Sequence, residues 1–266
     1  MKKLTLLLLL LFLYISGMYA QDLISAADAK KLVMSKNTVF VSVRPAADYA
    51  RVHIINAVNV PVTTLANEGE PEGILKTPDA LAKILGEKGV DPAKKIVIYG
   101  TGSGKSEGRL YWVLKYVGYP DVKILDGHMK AWMGVRGKVT NAAPSVKPVS
   151  VTPKVDKSIF ADYAYVKSKM GSALLVDVRP PDEIAGGKIN GAIEFEFNKV
   201  LNAEMFKSKD ELISVFNAAG ITKDKEIILY CATSVRAGVV FLALKSILEY
   251  PNVKIYDGAY NEWKTK

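Results

Sequence analysis

The chain repeats itself, and this repeat constrains its fold more than any other feature. The segment VSVRPAADYARVHIINAVNV, residues 41–60, aligns with VDVRPPDEIAGGKINGAIEF, residues 176–195, at a constant offset of 135 positions. Further along, VKILDGHMKAW at 122–132 aligns with VKIYDGAYNEW at 253–263, at an offset of 131. The four-residue difference falls in TLANEGEPEG, a loop of the first copy that is rich in Gly, Glu and Pro. We therefore predict a duplicated domain.

A proline-containing segment separates the two copies. Residues 139–156 hold three prolines and show no helical period, which is typical of an extended linker. The first domain is thereby predicted over residues 21–138 and the second over residues 157–266. Both are close to the size at which a single hydrophobic core is common, about 100–150 residues.

Strand-like and helix-like segments alternate within each copy. Short apolar runs rich in β-branched residues, such as KIVIY and EIILY, are separated by longer segments with helical periodicity, such as EGRLYWVLKYVG and AGVVFLALKSIL. This alternation is typical of a parallel sheet with helices on both faces. We therefore predict an α/β fold of two tandem domains, each a mostly parallel sheet covered by helices. In such sheets, ligands bind beyond the carboxyl ends of the strands.

Residues 1–20 have the pattern of a secretory signal. Lys2 and Lys3 precede an apolar run from Leu4 to Ile15, and the small residue Ala20 follows near the expected cleavage point. The alternative is an uncleaved membrane anchor, but the run is shorter than the roughly 20 residues that span a bilayer. The mature protein is therefore expected to be periplasmic or secreted, without stable membrane insertion.

The composition excludes several classes of function. The formal net charge is +9, from 36 Lys and Arg against 27 Asp and Glu, but the basic residues are scattered and form no stripe with interleaved aromatics. We therefore expect no nucleic-acid partner. With one cysteine and two histidines in the chain, no zinc ligand set can be assembled, and we expect neither a metal nor another cofactor.

One loop of the first copy has most of the parts of a phosphate-binding loop. The segment IVIYGTGSGKSEGR, residues 96–109, contains a strand, several glycines, a Gly-Lys-Ser sequence and the start of a helix. A loop of that kind also needs a glycine five positions before the glycine that precedes its lysine. Tyr99 stands there, and it recurs as the strand residue Tyr230 in the second copy. Nucleotide binding by this loop is therefore not expected.

The corresponding loop of the second copy carries the cysteine. The alignment puts Gly100 opposite Cys231 and Lys105 opposite Arg236. Cys231 follows the strand EIILY and precedes the helix AGVVFLALKSIL, so we expect it to face backbone N–H groups that, together with Arg236, favour the thiolate. The alternative is an inert core cysteine, but a core position does not readily accept the glycine found in the first copy. We interpret Cys231 as reactive.

The length of the cysteine loop bears on its chemistry. Four residues lie between Cys231 and Arg236. The loop is one residue shorter than the Cys-x5-Arg loop that a resemblance to cysteine phosphatases would require, and a shorter ring of donors suits a single sulfur atom. Cysteine-protease chemistry needs a histidine base, whereas His53 and His128 both lie in the first copy.

Taken together, these motifs resemble the rhodanese (sulfurtransferase) family in its tandem-domain form. The matching segments are VSVRPAADYARVHIINAVNVP and ILDGHMKAW in the first copy, and VDVRPPDEIAGGKINGA, YCATSVRAG and YDGAYNEW in the second. The resemblance covers almost all of the mature chain. It implies an α/β fold with a five-stranded parallel sheet in each domain, an inactive first domain, and a catalytic second domain that carries Cys231.

The resemblance implies sulfur transfer by double displacement. Cys231 would attack the outer sulfur of a small anionic donor such as thiosulfate or 3-mercaptopyruvate, and the resulting persulfide would pass its sulfur to a thiol or cyanide. Arg236 would be the cationic partner, and the Thr and Ser hydroxyls of the loop would be further donors. Five residues would cradle the anion through their backbone amides: Ala232, Thr233, Ser234, Val235 and Arg236.

Asp177 is a candidate substrate-binding residue close to the cysteine loop. It ends a strand in LLVDVRPPDEI, and its counterpart in the first copy is Ser42. We predict that Asp177 orients Arg236 or a loop amide, since the copy without a cysteine also lacks this acid.

Arg179 is a second candidate substrate-binding residue. It recurs as Arg44 in the copy that has no cysteine. This recurrence favours a structural ion pair, with Glu183 or Asp182, over direct contact with substrate.

The sulfur donor and the alternatives to catalysis stay open at this point. Family members that use thiosulfate tend to carry basic residues directly after the cysteine, where this chain has Ala232 and Thr233. Those that use mercaptopyruvate tend to carry a further arginine in a longer insertion after the strand-end aspartate. A sulfur-carrier or redox binding module without turnover is the second hypothesis. A cysteine phosphatase or arsenate reductase is the third, which the loop length disfavours.

Overall fold

The computed structural model describes residues 22–266. The signal predicted at residues 1–20 lies outside the described residues and stays a prediction. Within the described part of the chain, no helix is both long enough and apolar enough to cross a membrane.

The first domain is a parallel sheet flanked by helices. Its strands are β1 (Leu23–Ile24), β2 (Thr38–Ser42), β3 (His53–Ile54), β4 (Val58–Asn59), β5 (Lys95–Tyr99), β6 (Val122–Leu125) and β7 (Val139–Thr140). Its helices are α1 (Ala26–Leu32), α2 (Ala46–Arg51), α3 (Pro78–Glu87), α4 (Lys105–Tyr116) and α5 (His128–Gly134). The five-stranded sheet has the order β1-β6-β5-β2-β4, with every pair of neighbours parallel.

The second domain repeats the five-stranded sheet of the first strand for strand. Its strands are β8 (Phe160–Ala161), β9 (Leu174–Asp177), β10 (Ile193–Glu194), β11 (Leu201–Asn202), β12 (Met205–Phe206), β13 (Ile227–Tyr230) and β14 (Val253–Tyr256). Its helices are α6 (Tyr163–Lys169), α7 (Pro181–Ile184), α8 (Lys209–Ala218), α9 (Ala237–Leu242), which continues as a π-helix over Ala243–Ile247, and α10 (Ala259–Trp263). The parallel sheet has the order β10-β9-β13-β14-β8. The predicted fold class and five-stranded parallel sheets are confirmed.

The central strands are apolar along their length because both faces of each sheet are covered. Residues 96–99 of β5 and residues 227–230 of β13 are fully buried. When helices cover both faces of a parallel sheet, the side chains on both faces of a strand are buried. Such a strand is therefore a continuous apolar run and does not alternate between apolar and polar residues.

Capping side chains determine where two of the helices begin. Thr77 caps α3, and Ser208 caps α8 in a capping box.

The predicted linker is ordered against the first domain. Its first two residues form β7, which pairs antiparallel with β3. Further along, the amide of Val149 donates to the carbonyl of Gly86 at 3.0 Å, and the amide of Asp156 donates to the carbonyl of Tyr116 at 2.8 Å. As predicted, the segment contains no helix up to residue 156. It is hydrogen-bonded to the first domain along its length.

The two domains meet where α4 and α9 cross at glycines. A Cβ built on Gly238 would lie 2.3 Å from the carbonyl carbon of Gly108, and one built on Gly108 would lie 2.5 Å from the carbonyl carbon of Gly238. Beside this crossing, the indole N–H of Trp112 donates to the carbonyl of Ile159 at 3.0 Å. A single apolar cluster spans both domains. The loop after β13, which leads into α9, is therefore held close to the first domain.

Gly238→Ala is expected to lower the free energy of unfolding by about 2–3 kcal/mol, because the added methyl group would press on backbone that cannot move aside. Gly134, at the end of α5, has no atom within 4 Å of a built Cβ. Gly134→Ala is therefore the matched control, and we expect it to be neutral or slightly stabilising. Urea unfolding measures the free energy of unfolding of both variants. Equal stabilities of the two variants would contradict the close crossing of the helices.

Candidate active site

Cys231 is the first residue after β13, the middle strand of the second sheet. As predicted, the loop that it begins leads into α9. The cysteine side chain is fully buried and belongs to an apolar core cluster, which is the location expected for the alternative of an inert core cysteine. The neighbouring strand β9 ends at the same level, with Asp177 in register with Tyr230. The cysteine thus lies at the carboxyl edge of the sheet, where parallel α/β folds bind ligands.

The backbone N–H groups at the start of the cysteine loop point away from α10. The carbonyls of Cys231 and Ala232 accept hydrogen bonds from two amides of α10, at 2.9 and 3.1 Å. Because a trans peptide holds its N–H opposite its C=O, the N–H groups of Ala232 and Thr233 point away from α10. Within residues 22–266, no N–H group of residues 232–236 donates to a protein acceptor. The loop therefore offers a set of unused donors next to the cysteine.

Ser234 fixes the loop to the sheet. It has a left-handed backbone, with φ of 60°, and its buried hydroxyl donates to the carbonyl of Tyr256 in β14. A hydroxyl has one proton to donate, so the prediction that the Ser234 hydroxyl is a donor to substrate is wrong. The side chain of Thr233, by contrast, lines a cavity beside the loop.

Arg236, at the end of the loop, is held by Glu183 of α7. Nη1 and Nη2 of the arginine each donate to one carboxylate oxygen of Glu183 at 2.6 Å. Burial disfavours the charged guanidinium, but the bond to Glu183, together with the charge and hydrogen bond of Cys231, outweighs burial and raises the pKa of Arg236. The same pair lowers the pKa of Glu183. A bidentate pair is strong and directional, so Glu183 fixes the position of the cation at the end of the cysteine loop.

Asp177 and Arg179 form a second, buried ion pair beside the loop. Nε of Arg179 lies 2.9 and 3.0 Å from the two carboxylate oxygens of Asp177. Nη2 also donates to the carbonyl of Gly187 at 2.7 Å, and the guanidinium lies 4.0 Å from the ring centroid of Tyr260. Neither member of the pair is among the residues that line the cavity. Their contacts are those of a packing element that supports the end of the strand.

These contacts correct two predictions. Asp177 orients neither Arg236 nor a loop amide, because both its oxygens are bonded to Arg179. Arg179 does form a structural ion pair, but its partner is Asp177 and not Glu183 or Asp182. The carboxylate of Glu183 is bound to Arg236 instead.

Arg109 of α4 reaches the same region from the first domain, and the sequence interpretation missed it. Its Nη2 donates to the carbonyl of Gly73 at 2.6 Å and lies 3.5 Å from Oδ1 of Asp257. Burial lowers the pKa of Arg109, while the charges of Asp257 and Cys231 act in the opposite direction. The available signal was an arginine inside an apolar helical run, opposite Val240 in the repeat.

The first-domain loop that holds the four extra residues packs on the cysteine loop. A Cβ built on Gly73, whose φ is 101°, would lie 2.7 Å from the Cβ of Thr233. The amide of Leu75 donates to the carboxylate of Asp257 at 3.1 Å. Between the two loops lies a cavity of about 310 Å³, whose lining includes Glu68, Glu72 and Arg109 from the first domain and Thr233 and Val235 from the second. The site is therefore shared between the domains.

In the first copy, the position of the cysteine is filled by a carboxylate. A Cβ built on Gly100 would lie 2.2 Å from Oε1 of Glu107. Glu107 in turn lies 2.7 Å from Nδ1 of buried His128; burial disfavours the charged imidazole, but this contact outweighs it and raises the pKa of His128. Lys105, the lysine of the phosphate-loop pattern, lies 5.2 Å above the ring of Phe197 in the second domain. The first copy thus has neither a thiol at this position nor room for one.

A buried cysteine lies on a loop of unused backbone donors, near an arginine fixed by an ion pair, at the carboxyl edge of a parallel sheet. This arrangement is suited to group transfer through a thiol. Comparison with known proteins identifies the family. The model of the rhodanese-like domain matches this chain twice, over residues 25–134 and 161–266. The chain therefore belongs to the rhodanese family in its two-domain form, and it is a sulfurtransferase.

Individual relatives agree with this assignment. The chain is 31% identical over 254 residues to the thiosulfate sulfurtransferase of Pseudomonas aeruginosa, covering 90% of this chain and 93% of that one. It is 32% identical over 208 residues to the sulfur carrier protein TtuD of Thermus thermophilus, covering 70% and 73%. Among solved structures, the 3-mercaptopyruvate sulfurtransferase SseA of Escherichia coli is similar with a TM-score of 0.84 and 25% identity, covering 89% of this chain and 98% of that one.

Proposed function

We propose that this sulfurtransferase moves a sulfane sulfur from thiosulfate or 3-mercaptopyruvate to a thiol or cyanide through a persulfide on Cys231. The observation that carries this proposal is the set of N–H groups of residues 232–236, which directly follow the cysteine in its loop and have no protein acceptor within the described chain. Oriented N–H groups of this kind stabilise negative charge on a bound atom at no further cost of reorganisation.

In the first half-reaction, the Cys231 thiolate attacks the outer sulfur of the donor. A new S–S bond forms, and the bond between that sulfur and the rest of the donor breaks. With thiosulfate, sulfite leaves with the bonding electrons. With 3-mercaptopyruvate, the C–S bond breaks and pyruvate leaves as its enolate, which then takes a proton. The loop donors and Arg236 hold the negative charge on the sulfur that remains.

In the second half-reaction, the acceptor attacks the outer sulfur of the persulfide. The S–S bond of the persulfide breaks, and the electron pair returns to Cys231 as a thiolate. Cyanide would leave as thiocyanate, and a thiolate acceptor would leave as its own persulfide. The electrons balance over the cycle, because each transfer moves one neutral sulfur atom between two nucleophiles and no outside oxidant enters.

Intact-protein mass spectrometry tests this proposal. After exposure to thiosulfate and, separately, to 3-mercaptopyruvate, we expect the mass of one added sulfur atom with at least one donor, and its removal by cyanide. Cys231→Ser is expected to gain no sulfur. A wild-type protein whose Cys231 can be alkylated but that gains no sulfur from either donor would contradict the proposed function.

A carrier role without turnover is the second candidate, favoured by the 32% identity to a protein named as a sulfur carrier. The two candidates differ in stoichiometry. An enzyme that cycles releases many equivalents of thiocyanate from thiosulfate and cyanide. A carrier that discharges only to a protein partner releases at most one equivalent per chain. Counting thiocyanate per Cys231 thiol therefore separates them.

A further inference from the structure

Arg109 is a buried cation, supplied by the domain without a cysteine, and one of its donors is unused. Its side chain is 2% exposed, and Nη1 has no hydrogen-bond partner within residues 22–266. Leaving a buried charged donor unpaired is costly, so such groups in folded proteins usually have a role. Arg109 lies beside the cysteine loop of the other domain.

The unused donor belongs to a residue that lines the cavity between the domains. The wall of this cavity of about 310 Å³ includes Arg109 together with Thr233 and Val235 of the cysteine loop. Thr233 is the second residue after Cys231, so the cavity adjoins the cysteine loop. Glu68 and Glu72 also belong to the lining, but both are exposed to solvent. The buried charge of the cavity is therefore positive.

Asp257 compensates Arg109 only in part. The carboxylate accepts the amide of Leu75 at 3.1 Å, whereas its contact with Nη2 of Arg109 is 3.5 Å long. The shorter bond of Nη2, at 2.6 Å, goes to the carbonyl of Gly73. These contacts fix the guanidinium in place through Nη2 and leave Nη1 without an acceptor.

Resting on the sulfur transfer proposed above, we propose that the guanidinium of Arg109 binds the anionic group of the sulfur donor, a sulfonate-like or carboxylate oxygen, in the cavity between the domains. The sulfur to be transferred then lies toward the cysteine loop, and the leaving group lies toward the first domain. A guanidinium suits this task because it is permanently charged and directs several N–H groups at oxyanions.

This assignment gives the extra residues of the first-domain loop a purpose. The loop brings the carbonyl of Gly73 to Arg109 and packs Gly73 itself on Thr233. The first domain has lost its own thiol position to Glu107, yet it supplies one wall and one cation of the donor site. The cavity has a volume of about 310 Å³, which is enough for a small anion.

Alkylation of Cys231 tests the role of Arg109 without any sulfur donor. Iodoacetate is an anion and iodoacetamide is its neutral counterpart of nearly equal size, so the ratio of their rate constants reports attraction of anions and cancels changes in thiol reactivity. We expect Arg109→Gln to lower this ratio about tenfold or more, since a cation inside a cleft concentrates anions. A ratio equal to that of the wild type would overturn the proposal.

Arg44 offers a matched control. It is a buried arginine of the same domain, 8% exposed, and its Nη1 donates to the carbonyl of Val52 at 2.7 Å. Arg44→Gln removes a buried positive charge away from the cavity, so the ratio is expected to stay at the wild-type value. A fall in this variant as large as in Arg109→Gln would show a general charge effect and reject the local site.

If Arg109→Gln does not fold, two further variants test the same anion site. The double variant Arg109→Met with Asp257→Asn removes both buried charges, and we expect the same fall in the ratio. Asp257→Asn alone keeps the arginine and should maintain or raise the ratio. In the wild type, sulfite is expected to protect Cys231 from iodoacetamide, and an absence of protection would count against the site.

The outcomes separate this inference from the proposed function. A wild type that prefers iodoacetate and loses this preference in Arg109→Gln, but gains no sulfur from either donor, rejects the sulfur transfer and retains the anion site. A wild type that gains sulfur while the alkylation ratio is the same in every variant rejects the role of Arg109 alone.

Discussion

Arg236→Ala is expected to slow the loading of sulfur onto Cys231 by about 10²–10³-fold, the loss typical when one oriented donor to a developing anion is removed. The substitution deletes the cation at the end of the cysteine loop, whose pKa is raised mainly by its bond to Glu183 and further by Cys231. It also leaves the carboxylate of Glu183 unpaired beside the site, where its charge repels an anionic donor. Single-turnover loading from thiosulfate, quenched and followed by mass spectrometry, measures the effect.

Glu183→Gln separates these two contributions. It keeps Arg236 and removes the carboxylate that competes with the donor for the guanidinium, so loading is expected to be as fast as in the wild type or faster. In the double variant Arg236→Ala with Glu183→Gln, the part of the loss due to repulsion should be recovered. If Arg236→Ala alone loads sulfur at the wild-type rate, the arginine has no part in holding the charge.

The second large effect is expected on stability. Arg179→Met should lower the free energy of unfolding by about 3–5 kcal/mol, because it strands a buried carboxylate without its counter-charge. Asp177 is fully buried and bonded to Arg179 through both oxygens. Urea unfolding of the variant, compared with the wild type, measures the loss.

The repeat supplies the control for this substitution. Arg44 occupies the aligned position, but the residue that aligns with Asp177 is Ser42, so Arg44→Met strands no carboxylate. Arg44→Met should therefore lower the free energy of unfolding by clearly less than Arg179→Met does. The double variant Asp177→Asn with Arg179→Met should be more stable than Arg179→Met alone, since removing both charges leaves neither one unpaired. Equal costs for Arg179→Met and Arg44→Met would contradict a buried ion pair.

The backbone of this protein was predictable from its sequence because the signals are local and occur twice. Runs such as IVIY and IILY are long enough to identify a doubly covered strand, and their equal spacing from the DG motifs at 126–127 and 257–258 defines the repeat. The short edge strands β1 and β8, of two residues each, carry no such signal. They pair because the neighbouring strands offer free hydrogen-bonding groups along their edges.

The partners of the charged side chains near the site were less predictable, since an ion pair depends on where each side chain points as well as on how close the two residues lie. Asp177 and Arg236 were expected at the cysteine loop, and Arg179 was expected in an ion pair with Glu183 or Asp182. Sequence spacing does not tell which acid pairs with which arginine. The register of β9 and β13 and the placement of α7 decide this pairing. Arg109 shows a further limit: it reaches the site from the other domain, and only the crossing of α4 and α9 brings it there.

The most direct measurement of the central claim is a crystal structure of the protein after treatment with thiosulfate. The account predicts one additional sulfur atom bonded to Sγ of Cys231 and within hydrogen-bond distance of the N–H groups of residues 232–236. A loaded sulfur that points into the apolar core, away from those N–H groups, would contradict the account, as would a cysteine left unmodified while sulfur is bound elsewhere.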